Sequence, residues 1–196
     1  MKKNFATLAL TLIVGGAALA TEPVETETKT VDAEKSNVTW RAYKVTGSHM
    51  GTVALKSGSL TFEDGVLSGG EFVTDMTTLT STDLEGEWKD KLVGHLKSDD
   101  FFSVESHETS KLVFTSVKAN GKNSYEVTAN LTIKGITKPV TFDLAVYGNK
   151  ANATVKIDRS QYDIKYNSGS FFEGLGDKLI YDEFDLVVDL EFATAS

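Results

Sequence analysis

The chain has 196 residues, 40% of them hydrophobic and 10% aromatic, with no cysteine, and its 20 basic and 28 acidic residues give a net charge of −8. That length and apolar content suit one globular domain with a sizeable core. The missing thiols exclude disulfides and thiolate chemistry, and an acidic chain without basic clusters argues against nucleic acid or an anionic membrane surface as a partner.

The first twenty residues, MKKNFATLALTLIVGGAALA, place two lysines before an apolar run and end on Ala18-Leu19-Ala20. This is the pattern of a secretory signal with an A-x-A cleavage site. The run from Phe5 to Ala20 is short for a membrane span and holds two glycines and two threonines, so cleavage after Ala20 is expected. No cysteine follows for lipid attachment. Removing Lys2 and Lys3 leaves 18 basic against 28 acidic residues, a net charge of −10, on a chain with no integral membrane segment, periplasmic or secreted. Residues 21–30, rich in Thr and Glu, read as a disordered acidic leader, ahead of one domain over 31–196.

From there the pattern has period two. NVTWRAYKV, GTVALKSGSLTF and VLSGGEFVTDM read as strands, with Glu63-Asp64-Gly65 as a turn. The rhythm then breaks. In STDLEGEWKDKLVGHLKSDDFF, Leu84, Trp88, Leu92 and His95 or Leu96 fall three and four apart, which predicts an amphipathic helix capped by Ser81, Thr82 or Asp83. Asp99 and Asp100 after Ser98 predict the first turn of a short second helix that drops Phe101 and Phe102 onto the sheet.

KLVFTSVKA resumes the strands. YEVTANLTIKG alternates Tyr125, Val127, Ala129, Leu131 and Ile133 with Glu126, Thr128, Asn130, Thr132 and Lys134, a half-buried strand. GIT reads as a tight hairpin into KPVTFDLAVYG, with Pro139 at the strand's first residue. NATVKIDR turns Ala153, Val155 and Ile157 inward. A Gly-rich loop, NSGSFFEGLGDKL, leads to DEFDLVVDLEFA, whose Phe184, Leu186, Val188, Leu190 and Phe192 share one face. Eight sequential strands with short links predict an all-β fold, an eight-stranded antiparallel up-and-down barrel with one amphipathic helix and short helical turns, wide enough for one small ligand. An Ig-like sandwich also satisfies the pattern, and a filled core also satisfies the apolar faces.

No motif for catalysis or metal binding stands out. His49, His95 and His107 show no HExxH or H-x-H spacing. GSHMG has its serine one position too early for a nucleophile elbow. No phosphate loop, dinucleotide fingerprint or calcium loop occurs, so no cofactor is expected and the chain reads as a binder rather than an enzyme. The alternatives are an enzyme on an exported lipid-like substrate using His95 or His49 with a nearby acid, and a ligand-free stress-related interaction protein.

Several blocks occur in the order found in a known family: VDAEKSNVTWRAYKVTGSHMGTVALKSGSL, GGEFVTDMTTLTSTDL, KLVGHLKSDDFF, LTIKGITKPVTFD and KIDRSQYDIKYNSGSFFEGLGDKLIYDEFDL. Together they resemble the YceI-like family of secreted, lipocalin-like polyisoprenoid-binding proteins, from about Val31 to the C-terminus. The resemblance implies a long apolar tunnel for the tail of a long-chain isoprenoid lipid, quinone-like or polyprenyl, or another amphiphile. It also implies that homodimers occur. It transfers no head-group residue. Inward parity assigns the ligand-facing positions: Trp40, Phe72, Phe114, Val127, Ala129, Leu131, Phe142, Leu144, Val155, Phe184, Leu186 and Val188.

Overall fold

A computed structural model describes residues 24–193; the signal peptide expected over 1–20 lies outside the described residues. Nine strands form one antiparallel sheet: β1 Thr26–Thr30, β2 Asn37–Lys44, β3 Gly47–Glu63, β4 Val66–Ser81, β5 Thr109–Ala119, β6 Ser124–Ile133, β7 Ile136–Tyr147, β8 Lys150–Asp158 and β9 Ile180–Glu191. β2 to β9 pair in sequence, β9 returns to β2, and the up-and-down barrel of eight strands is closed. Among the described residues, one helix, α1 over Gly86–Lys97, and two short 3-10 turns accompany the strands.

Closure has local causes. Asp64-Gly65 and Lys134-Gly135 both take positive φ at both residues, the geometry of the two-residue hairpin turn whose twist matches its strands. The second turn joins Ile133 directly to Ile136. GIT is therefore not the link: Ile136 and Thr137 belong to β7, and Pro139 sits inside that strand. Pro139 is tolerated because, counting from the turn, it occupies a non-hydrogen-bonded pair with Asn130, its ring nitrogen facing away from β6. On that outer side β8 pairs with β7 only from Leu144 to Tyr147.

Residues 26–30 are not a disordered leader; they form β1. β3 runs for 17 residues while β2 covers only Gly47 to Thr52 of it, so an edge is left open. Thr26, Thr28 and Thr30 favour extended backbone, and β1 pairs with Ser59–Glu63. Lys29 holds its Nζ 5.1 Å from the Phe62 ring centroid.

The helix is also placed differently. Its N-cap is Glu85, which makes no side-chain cap bond, because Ser81 ends β4 and Asp83 is engaged by His49, Ser81 and the Met50 N–H. Leu96 is buried and Leu92 half-buried against the barrel, while Trp88, a turn earlier, is 72% exposed. No second helix follows. Ser98 is the C-cap of α1, its N–H bonding Gly94 O and His95 O and its hydroxyl donating to His95 O. Asp99 to Phe102 form a turn, and that turn buries Phe101 and half-buries Phe102.

The meander gives the barrel two unlike ends. Turns at 64–65, 120–123 and 148–149 close one. The other carries the Val45-Thr46 turn, α1, the 98–108 segment, Lys134-Gly135 and the 159–179 loop. No described helix is long and apolar enough to cross a membrane.

Candidate functional site

The barrel interior is hollow. A cavity of about 170 Å³ runs through it, somewhat larger than the engineered apolar cavity of ~150 Å³ that stays dry and takes up benzene. Its wall follows β9 from Ile180 to Leu190. Ten residue steps span roughly 33 Å along a strand, or about 25 Å along the axis at the usual tilt. The cavity is thus long and narrow.

Side-chain parity builds the wall. Phe72, Leu112, Phe114, Leu186 and Val188 point inward yet are only half-buried, because they face empty space rather than packed neighbours. Rings of Phe72 and Phe114 lie 5.9 Å apart, those of Phe114 and Phe142 6.0 Å, and Phe102 meets Phe184 at 6.5 Å. At one end Val38 and Leu190 line it; at the α1 end Leu96, Phe101, Phe102 and Ile164 do. The polar contributors are few: Thr74, Ser110, Arg159 and Tyr181.

Of the twelve residues assigned by parity, ten lie on the wall: Trp40, Phe72, Phe114, Leu131, Phe142, Leu144, Val155, Phe184, Leu186 and Val188. Val127 and Ala129 point inward and are fully buried, but they are not on it. Ala129 pairs with Phe114 on β5 and with Val140 on β7, and Val127 pairs with Phe142. The rings of Phe114 and Phe142, on strands flanking β6, meet over these two smaller side chains and screen them from the lumen.

Arg159 is the residue that sequence reasoning missed. It follows β8 and is 4% exposed. Its Nε donates to Tyr181 O (3.2 Å), Nη1 to Ile164 O (3.0 Å) and Tyr166 O (2.9 Å), and Nη2 to Ile180 O (3.0 Å). Asp182 Oδ1, 3.4 Å from Nη2, meets it as an ion pair without hydrogen-bond geometry. Burial lowers the guanidinium pKa from its ordinary value, and Asp182 and Asp158 oppose that shift. The side chain gathers carbonyls from both ends of the 163–181 segment, so it pins the neck of this loop at the cavity wall. With its donors committed to the chain, it positions the loop. Nearby, Tyr162 is buried with no hydrogen-bond partner for its hydroxyl, and burial and Asp158 push its pKa up to about 12.

The histidines lie off the wall. His49 Nδ1 is 2.8 Å from Asp83 Oδ2, and His95 Nε2 is 3.0 Å from Asp100 Oδ2. The His95 ring stands edge-on to Phe101 (4.9 Å) and Tyr166 (4.5 Å) at the α1 end. Among the described residues no three His, Asp or Glu side chains are grouped to hold a metal ion.

Residues 30–192 match the YceI-like domain family. A UPF0312 protein of Pseudomonas putida strain W619 is 30% identical over 180 residues, covering 84% of this chain and 88% of that protein. Among solved structures, Burkholderia cenocepacia BcnA superposes with a TM-score of 0.65 at 21% identity, over 84% of this chain and 99% of BcnA. A Saccharophagus degradans domain, described as polyisoprenoid binding and implicated in plant cell wall breakdown, gives 0.55 at 15% identity, over 84% and 98%. At these identities the two structures show a shared fold.

Proposed function

The chain belongs to the YceI-like domain family, and from that membership together with the hollow barrel we propose that it binds a long-chain isoprenoid lipid, with a quinone-like or polyprenyl tail, or a similar amphiphile, for carriage or storage. The observation that carries this reading is the half-buried state of inward Phe72, Phe114, Leu186 and Val188: apolar side chains lining an elongated void. An apolar tail filling it gains about 25 cal/mol for each Å² removed from water and needs few polar contacts. The cavity is about one chain wide and many methylenes long, which favours a tail over a compact fused-ring molecule. The polyisoprenoid description of the Saccharophagus domain supports the isoprenoid class.

The same reading makes the protein an exported one, its residues 1–20 removed as a signal and its site of action periplasmic or extracellular. Twelve positions form the proposed tail site, with Val127 and Ala129 as its underlayer. No residue is assigned a catalytic role, since neither the His49–Asp83 nor the His95–Asp100 pair reaches the lumen.

Native mass spectrometry of the exported protein, followed by organic extraction and lipid analysis, tests this. A co-purifying prenyl lipid is the expected result. Protein that stays empty when offered polyprenyl and quinone lipids overturns the reading.

A further inference from the structure

Aromatic exposure is concentrated at one end of the barrel. Among the described residues Trp88, Tyr166, Phe171, Phe172 and Tyr181 are exposed at the α1 end, against Tyr147 alone at the other. Adjacent Phe171 and Phe172 are 43% and 50% exposed. Scattered single apolar residues need no explanation, whereas a contiguous exposed apolar patch marks an interaction site.

This patch is continuous with the cavity. Tyr181 is 49% exposed and also lines the lumen. The Tyr166 ring lies 5.5 Å from that of Phe101, itself a wall residue. Phe172 shares a surface groove with Tyr166 and Leu175, and the charged residues that rim it, Asp99, Asp100, Lys134, Asp163, Lys165 and Glu173, are four acids against two lysines. The patch is also held in place: Phe171 and Phe172 both donate their N–H to Ser168 O, Ser168 is fully buried, and Arg159 pins the loop's neck.

Charge selects the partner. The loop carries Asp163, Lys165, Glu173, Asp177 and Lys178, with Lys165 Nζ 2.6 Å from Asp163 Oδ1 and 5.4 Å from the Phe171 ring. There is no basic cluster to attract anionic lipid, and the chain's net charge of −8 opposes such a surface. Aromatic rings settle at the headgroup level of a bilayer, where one side is apolar and the other wet. We propose that the protein docks its α1 end on a zwitterionic lipid–water interface, Phe171 and Phe172 entering the headgroup layer with the cavity facing the bilayer. This rests on the lipid-carrying reading, since a carrier of a membrane-resident tail must meet its cargo there.

The test compares the mature chain with its F171S/F172S and F171W/F172W variants by flotation on phosphatidylcholine vesicles and on vesicles with about one-third phosphatidylglycerol. In parallel, binding of a short-chain quinone is measured in vesicle-free solution. The wild type is expected to float with phosphatidylcholine, the serine variant to partition at least about tenfold more weakly, the tryptophan variant to float at least as well, and anionic lipid to add nothing. Equal flotation of serine variant and wild type, no flotation of either, or flotation only with anionic lipid overturns the proposal. So does a serine variant that turns a dimer into a monomer while vesicles bind neither form, which would give the patch to a second copy. Absence of quinone binding in solution sinks the carrier reading alone and leaves the flotation result to stand or fall separately.

Discussion

Arg159→Met removes the guanidinium that holds four backbone carbonyls and keeps a side chain of similar reach in the cavity wall. Ile164 O, Tyr166 O, Ile180 O and Tyr181 O each lose their donor, and Asp182 loses its 3.4 Å ion pair. Hydrogen bonds to a charged donor contribute about 1.5–3 kcal/mol each, but the less buried carbonyls recover water, so the net loss stays near the 3–5 kcal/mol typical of breaking a buried pair. At about 2–4 °C per kcal/mol for a domain of this size, the melting temperature falls by roughly 6–20 °C if unfolding is global. If the loop releases first, hydrogen exchange accelerates across 163–181 and leaves β6 protected. Arg159→Lys recovers only part of the loss, because one ammonium cannot fork toward carbonyls on two segments. Calorimetry with exchange mass spectrometry reads both effects. An R159M protein that melts within a degree of wild type, with unchanged exchange in the loop, would refute the clamp.

Three other outcomes follow from named contacts. Val188→Trp puts an indole into the void that Val188 half faces; long-chain lipid is lost on extraction while a short-chain analogue still binds, and melting shifts by no more than the ~1–3 kcal/mol of modest overpacking. Gly51→Ala would set its Cβ 1.8 Å from Thr80 O and 2.7 Å from the Trp40 ring, which is itself tied to Thr80 O at 3.1 Å; its denaturation midpoint drops by more than about 2 kcal/mol equivalent, whereas Gly69→Ala, whose nearest neighbour would be 3.8 Å away, stays close to wild type. Burial alone would raise the Asp83 pKa, but the Ser81 hydroxyl, the His49 ring and the Met50 N–H outweigh it and hold the carboxyl below its ordinary value of 3.8. A depressed folded pKa gives stability that is present above the unfolded value and lost as pH falls through the folded one; Asp83→Asn is therefore less stable at pH 7 but loses less between about pH 5 and pH 2 in melts, and an identical acid profile would refute the linkage.

How far the sequence specified this structure depends on the range of the forces at each position. On β6, Tyr125, Val127, Ala129, Leu131 and Ile133 are all buried, as alternation requires, because inward parity on a strand needs no knowledge of its partners. β9 obeys the same rule at Phe184 and Leu190. Composition misled at Thr26–Thr30, where a polar segment is ordered by an edge that exists only because β3 outruns β2. The cap residues misled because Asp83 serves a histidine 34 residues earlier rather than the helix that begins three residues after it.

The candidate site shows the same division more sharply. Parity places Val127 and Ala129 on the correct face, yet whether a residue touches the lumen is decided by the bulk of its neighbours on other strands, here Phe114 and Phe142. Arg159 is harder still. An arginine after a strand that ends in Asp158 reads as a solvated charge, and nothing near it in sequence accounts for its burial. Two of its four acceptors, Ile180 and Tyr181, lie more than twenty residues downstream. A buried cation of this kind becomes legible only when the chain has folded a loop back onto it, and for that reason a residue with no motif holds together the end of the barrel where the cavity meets the surface.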